Sequence, residues 1–347
     1  MKVSPYLSSK ITIFYTLLIV MVVYIHSTYL EMYPCEVADF VWKFWGGYGL
    51  CSIANPLFFI ISGFFLVGGT QYVGDLLEKL RKRVRTILVP YVLWNIIFVL
   101  WYVVLDITPG VGRYVNSTGI MENWKTLPLW ESIYNMLTEP AGFHLWFLRD
   151  LICFMAVSPV LWWISKKSWI AAIVLSVIVN NWVPWLFWFW LGIIIGTQKW
   201  DVERMPKSRG ILVLTGCVYF GSALISGLGL NEQMPKVYGI VGLTIQLSSI
   251  FFVWSIYDII AHGRCLSKHG LWKYVCGYSF FIYCFHEPAF NIIKKLGVAI
   301  FGSSESALII LYLVNPLIMV GCAIAVAKTM QRVKAFVPVY KVLTGGR

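Results

Sequence analysis

Residues 11–30 read ITIFYTLLIVMVVYIHSTYL, a run without a single Asp, Glu, Lys or Arg. A bilayer core of about 30 Å is crossed by about 20 apolar residues at 1.5 Å per helical residue, so this run is long enough to span it. It is too long for the core of a signal peptide. No small-x-small cleavage site follows it, only Tyr29, Leu30, Glu31 and Met32, so it reads as an uncleaved first span. Nine further apolar runs follow: Cys51–Val73, Ile87–Leu105, Trp146–Ile164, Trp169–Val183, Trp185–Gly196, Ile211–Ile225, Val237–Ile260, Val275–Phe290 and Leu308–Ala327. The fifth and sixth of the ten are short, meet at Pro184 and read as a tight re-crossing hairpin. The pattern predicts an all-α integral membrane protein of about ten transmembrane helices.

Composition and charge agree with this. The 347 residues are 59% hydrophobic and 13% charged, against about a quarter charged in soluble domains, so the apolar excess needs lipid. The 17 Trp suit the membrane interface, where an indole is half-buried and its N–H stays wet. A net charge of +12 does not indicate nucleic acid, because the basic residues sit in short segments between apolar runs. With the N-terminus inside, the outer segments hold only Lys43, Arg113, Lys125, Lys236, Lys294 and Lys295, and Arg149 lies within a span. The other 21 of the 28 basic residues are inside, a strong positive-inside bias that puts both termini in the cytoplasm. Merging the two short spans would invert everything after them, so the bias also favours ten spans over nine. The longest loop, Asp106–Phe143, is then external. No internal repeat is visible, and residues 1–347 read as one membrane domain. The eight Cys form no CxxC pair and read as small apolar fillers, with a Cys35–Cys51 bridge as the alternative for that pair.

Ionisable groups at membrane depth are costly, so each is a functional candidate. They are His26, Arg149 with Asp150, Asp258, and His286 with Glu287, while His144 just precedes the fourth span. His26 lies about 15 residues into its span, about 22 Å from the inner end. His286 lies about 11 residues into its own. His144 and Arg149 fall at the outer end of the fourth span, and Asn55 and Ser62 in the outer half of the second. Polar groups of four spans thus meet at similar depth. Ser279, Tyr283 and His286 share one helix face. Each group also has a plain structural reading: His26 bonded to a carbonyl, Arg149–Asp150 as an interface anchor, His286-Glu287-Pro288 as a helix end. The His-Glu order lacks the second His of a zinc protease, so no metal is expected. The cluster Arg81, Lys82, Arg83 and Arg85 is denser than topology needs and fits phosphate.

Five stretches resemble the acyltransferase-3 family of membrane acyltransferases, which typically O-acetylate surface polysaccharides. They are Val22–Ser27, Pro56–Phe65, Arg83–Tyr91, His144–Leu148 and Ser279–His286, in the family's order and across nearly the whole chain. The resemblance implies ten core helices, acetyl-CoA as the cytoplasmic acyl donor, no metal, and an envelope glycan or lipid-linked sugar as the acceptor, in the inner cell membrane. It implies His26 as the general base, His144 or Arg149 at the carbonyl oxygen or thioester, and His286, Tyr283 and Glu287, with Asn55 and Ser62, on the acceptor side. Arg83 and Arg85 would hold the CoA phosphates. The family usually has an Arg eleven residues before its essential His, on the same helix face. Here that donor-side position is Tyr15, and Lys10, sixteen residues before His26, is nearly on the opposite face. Two other readings stand beside this one. A transporter or flippase would use the same His as a proton relay, although no Pro in the seventh span matches the Pro56 break in the second, as an inverted repeat would require. A catalytically impaired relative would explain Tyr15.

Overall fold

The computed structural model describes residues 3–29, 33, 35–47, 49–109, 126–204, 208–233, 235–268 and 270–346. Lys2, Arg113, Lys125, Lys207 and Arg347 lie outside the described residues, as do residues 110–125 of the long loop. All regular structure among the described residues is helical. Seven stretches are long and apolar enough to cross a membrane: Pro5–Ile25, Glu36–Val67, Val73–Ile107, Phe143–Lys167, Arg209–Gly227, Gly242–Ala261 and Glu305–Arg332. Trp169–Val179 and Leu186–Gln198 are shorter apolar helices. The chain divides into two compact units, Met1–Thr70 with Leu161–Ala325, and Gln71–Val160 with Val326–Arg347.

In the first unit, α1 (Pro5–Ile25) starts where Ser4 Oγ accepts a hydrogen bond from the Leu7 N–H and Pro5 supplies a preset φ. It ends at Ile25, five residues short of the apolar run. His26 leaves the helix (φ −92°, ψ 5°), and its carbonyl, which a continuing helix would give to the residue four places on, accepts from Lys294 Nζ at 3.3 Å. The Ser27 hydroxyl likewise donates to the Tyr312 carbonyl at 3.2 Å. Side-chain partners have replaced the next helical turn. Near the other end of α1, Lys10 is fully buried. Its ammonium bonds Asp258 at 2.8 Å and the Glu203 carbonyl at 3.2 Å, and lies 4.4 Å from the Trp254 ring centroid.

The amphipathic α2 (Glu36–Trp45) leads through a 3-10 turn into α3 (Ala54–Val67). Cys35 and Cys51 are both free thiols, and Cys35 Sγ donates to Glu305 at 3.0 Å, so the bridge is not formed. Helix α3 packs against a later helix of the same unit, Leu186–Gln198, at backbone contact. A Cβ on Gly63 would overlap the Phe189 carbonyl, and one on Gly192 the Ile60 carbonyl; at Gly196 it would lie 2.7 Å from Val67. Small residues are what let two helices approach this closely in lipid.

In the second unit, α4 (Val73–Arg83) runs through a π turn at Val84–Leu88 into α5 (Val89–Ile107). Pro90 has no N–H for the Thr86 carbonyl four places back, which accounts for a disturbed ladder here. Helix α6 (Leu129–Thr138) precedes α7 (Trp146–Lys167), whose residues from Leu161 on belong to the first unit. There the fifth and sixth runs become α8 (Trp169–Val179) and α9 (Leu186–Gln198), joined by a turn in which Trp185 takes a left-handed φ of 76°. Buried Ser165 ties α7 to α9, accepting from Trp190 Nε1 at 3.0 Å and, through its carbonyl, from Gln198 at 2.8 Å. The first unit continues with α10 (Arg209–Gly227), α11 (Pro235–Ala261), α12 (Gly270–Phe301) and α13 (Glu305–Arg332), which passes into the second unit after Ala325. The short α14 (Val337–Leu343) closes the second unit, where the Leu343 carbonyl accepts from Trp94 Nε1 of α5 at 3.1 Å.

Candidate active site

The ninth apolar run does not stop at His286-Glu287-Pro288. Helix α12 breaks there and resumes: Glu287 is extended (φ −108°, ψ 142°), Pro288 follows, and the helix continues to Phe301. Pro288 has no N–H for the Cys284 carbonyl four places back. His286, completely buried, has Nδ1 at 2.7 Å from the Tyr283 oxygen and 3.2 Å from the Ile282 oxygen. A carbonyl only accepts, so Nδ1 carries the hydrogen and Nε2 holds the lone pair when the ring is neutral.

The end of α1 meets this break. The His26 and His286 rings lie 5.2 Å apart at an angle of 34°. The Tyr283 ring is 6.2 Å from His286. Glu287 is buried and accepts from Asn291 Nδ2 at 3.2 Å. Two imidazoles, each at a helix break, together with a buried carboxyl give a site equipped for proton transfer. Spacing predicts His26 inside its helix; the structure places it as the cap, with its ring beside His286 of a neighbouring helix.

Lys294 joins the group and was not foreseen. Its ammonium, nearly buried, lies on the His26 carbonyl and 5.5 Å from the Phe290 ring centroid. By sequence it counted among the external charges. The signal was there in the spacing: Glu287, Asn291, Lys294 and Gly297 recur at four, three and three residues, a polar and small stripe that continues past Pro288. Gly297 lets this face come close to α13, where an added Cβ would be 2.8 Å from Leu311 and 3.1 Å from Asn315 Nδ2. Asn315 in turn donates to the Tyr29 hydroxyl.

Other predicted residues of this unit lie along α1 and α3. Tyr15 is half-buried with its ring 5.3 Å from Phe58. Lys10 does not stand in for a cation at that position; it is committed to Asp258. Asn55 and Ser62 are half-buried, seven residues apart and so on one face of α3.

In the second unit, the buried His144 sits on a 3-10 turn, Phe143–Leu145, edge-on to Phe98 at 5.4 Å. Gly142 makes this possible, since a Cβ there would lie 2.5 Å from the Phe98 ring. Asn95 pins the approach: its Oδ1 accepts from the Ala141 N–H at 3.0 Å and its Nδ2 donates to the Tyr91 carbonyl at 2.9 Å. Arg149 is already engaged, with Nε at 2.9 Å from Asp150 and one terminal nitrogen at 2.7 Å from the Thr138 carbonyl. Arg83 closes α4, half-buried, and Arg85 is exposed in the π turn.

The family model described as "Acyltransferase domain" matches residues 16–328, so one match runs through both units. The Succinoglycan biosynthesis protein ExoH of Rhizobium meliloti (strain 1021) is 22% identical, over 98% of this chain and 92% of that protein. No solved structure matches the chain. The paired imidazoles lie in a chain whose described residues form helices, several apolar enough for a membrane, and the chain belongs to the acyltransferase-3 family and is an acyltransferase.

Proposed function

We propose that the chain transfers an acetyl group from cytoplasmic acetyl-CoA to a hydroxyl of a cell-envelope glycan or lipid-linked sugar, in the inner membrane, with ten crossings and both termini cytoplasmic. The observation that carries this reading is the His26–His286 pair, held where α1 ends and α12 breaks. His26 takes the proton as the acceptor oxygen attacks the thioester carbon, and returns it to the departing thiolate. A neutral imidazole suits that exchange near pH 7. His286, oriented through Nδ1, presents Nε2 as an acceptor for a sugar hydroxyl, with Tyr283, Glu287, Asn55 and Ser62 on the acceptor side. Arg83 and Arg85 are assigned to the CoA phosphates, and His144 and Arg149 to the thioester carbonyl. The glycan acceptor draws support from the relative named for succinoglycan biosynthesis.

The test is His26→Gln, which keeps hydrogen bonding but accepts no proton at neutral pH. Acylation of envelope glycans, followed by mass spectrometry, is expected to be lost while the protein inserts normally. Near-full acylation would remove His26 as the base and put the proton-relay transporter forward. Orientation has its own check. A Cys at position 125 is expected to react with a membrane-impermeant reagent in intact cells and a Cys at 82 is not; labelling at 82 would reverse the topology.

A further inference from the structure

Away from His26, at the Lys10 end of α1, the first unit contains a second concave site, a cavity of about 580 Å³. Tyr6, Arg204, Ser208, Arg209, Asp258 and His262 line it. Its charge balance follows from the hydrogen bonds. Asp258 Oδ1 accepts from Lys10 Nζ at 2.8 Å and from the Tyr6 hydroxyl at 2.6 Å, so the one carboxylate among the described lining residues is matched by a buried cation. Two guanidinium groups and an imidazole remain, and the cavity is cationic.

Arg204, exposed at the cavity, lies over an aromatic ring. Its guanidinium carbon lies 5.0 Å from the Tyr6 ring centroid, and one terminal nitrogen is 3.4 Å from where a Cβ on Gly263 would be. His262 (φ 47°) and Gly263 (φ 79°) are consecutive left-handed residues that turn the chain at the end of α11. A left-handed conformation is unfavourable for His, and such positions are kept where the surroundings fix them. A positive-inside bias accounts for arginines on this side of the membrane. It does not account for one laid against an aromatic ring beside a second arginine at a cavity.

We propose that this cavity binds a phosphate-bearing group, a phosphomonoester or phosphodiester, on Arg204 and Arg209 with His262 as a further donor. Planar guanidinium groups match phosphate oxygens in bidentate fashion, and a pre-positioned one loses little freedom on binding. Arg83 and Arg85 are not in its lining. The phosphate has two sources, the nucleotide part of the acyl donor and the headgroup of a membrane lipid. The assignment does not rest on the acyl-transfer mechanism, because its test reads binding alone.

The experiment is calorimetric titration of the full chain in detergent with two probes, adenosine 3′,5′-bisphosphate and dihexanoyl phosphatidic acid. One of them is expected to bind. Arg204→Ala with Arg209→Ala should weaken that binding at least tenfold, and Lys at both positions should restore part of it. Because Arg204 also packs on Tyr6, Arg209→Ala alone is the variant that leaves this packing intact, with an expected loss of about tenfold. Tighter binding of the bisphosphate makes this a donor site; tighter binding of the phosphatidic acid makes it a lipid site. Binding of neither probe, or binding unchanged in Arg209→Ala, overturns the proposal.

Discussion

The two ends of α1 handle the same difficulty in opposite ways. Near its start the helix buries Lys10 completely and surrounds it with a carboxylate, a carbonyl and an aromatic face. At its end it sets His26 against His286, whose Nδ1 is satisfied by backbone oxygens. A buried charge is tolerable when a partner neutralises it, and an imidazole is tolerable because its neutral form prevails without one. The difference bears on chemistry. Lys10 cannot give up its charge without stranding Asp258, whereas a histidine can take and release a proton with no obligate counter-ion left behind.

Substitutions at the two ends should therefore fail differently. The largest effect is expected from His26→Ala: a loss of about 10²–10⁴-fold in transfer rate with thermal unfolding nearly unchanged, measured side by side on purified protein. Lys10→Met should do the reverse. Leaving Asp258 unpaired should cost about 3–5 kcal/mol of stability, with activity per folded molecule retained, and Lys10→Met with Asp258→Leu should recover much of the loss. If His26→Ala unfolds the protein as readily as Lys10→Met, the contrast collapses. Next comes the donor side. Arg83→Ala with Arg85→Ala should weaken acyl-CoA binding by about 1.5–3 kcal/mol per lost contact without affecting insertion. Unchanged CoA affinity in detergent would leave these arginines a topological role. Smaller again is Gly192→Val, which forces a side chain into the Ile60 carbonyl. It should cost about 1–3 kcal/mol in thermal unfolding, and an unchanged midpoint would show that α3 and α9 can separate freely.

Much of this was legible in the sequence. Each apolar run falls on a helix, because runs so poor in charge in an apolar chain have no better solution. Pro288 marks an irregular turn, but not how the chain proceeds beyond it. A proline signals that one backbone bond is missing; whether the helix stops or resumes depends on which neighbours take the freed groups. A helix end at Pro288 is the plain structural reading there, yet Glu287 accepts from Asn291 and the buried Lys294 reaches the His26 carbonyl, and the helix goes on. Lys10 and Lys294 were counted as topological charges, since a count of basic residues does not distinguish a solvated lysine from one folded inward on a carboxylate or a carbonyl. His26 and His286 were both candidates by depth. Their contact was not derivable, because it depends on where α1 stops, and the groups that bond the chain there, Lys294 and Tyr312, are far along the sequence.

The close fit of Gly63 against Phe189 and Gly192 against Ile60 also sets a limit on motion. With backbone on backbone, neither helix can slide or rotate past the other without its glycine losing the only space that admits it. Any movement that follows substrate binding in this unit must carry α3 and α9 as one lever. Asn55 and Ser62 ride on that lever, so a shift felt at Phe189 or Gly192 would reach them through a rigid arm and not through a chain of side-chain rearrangements.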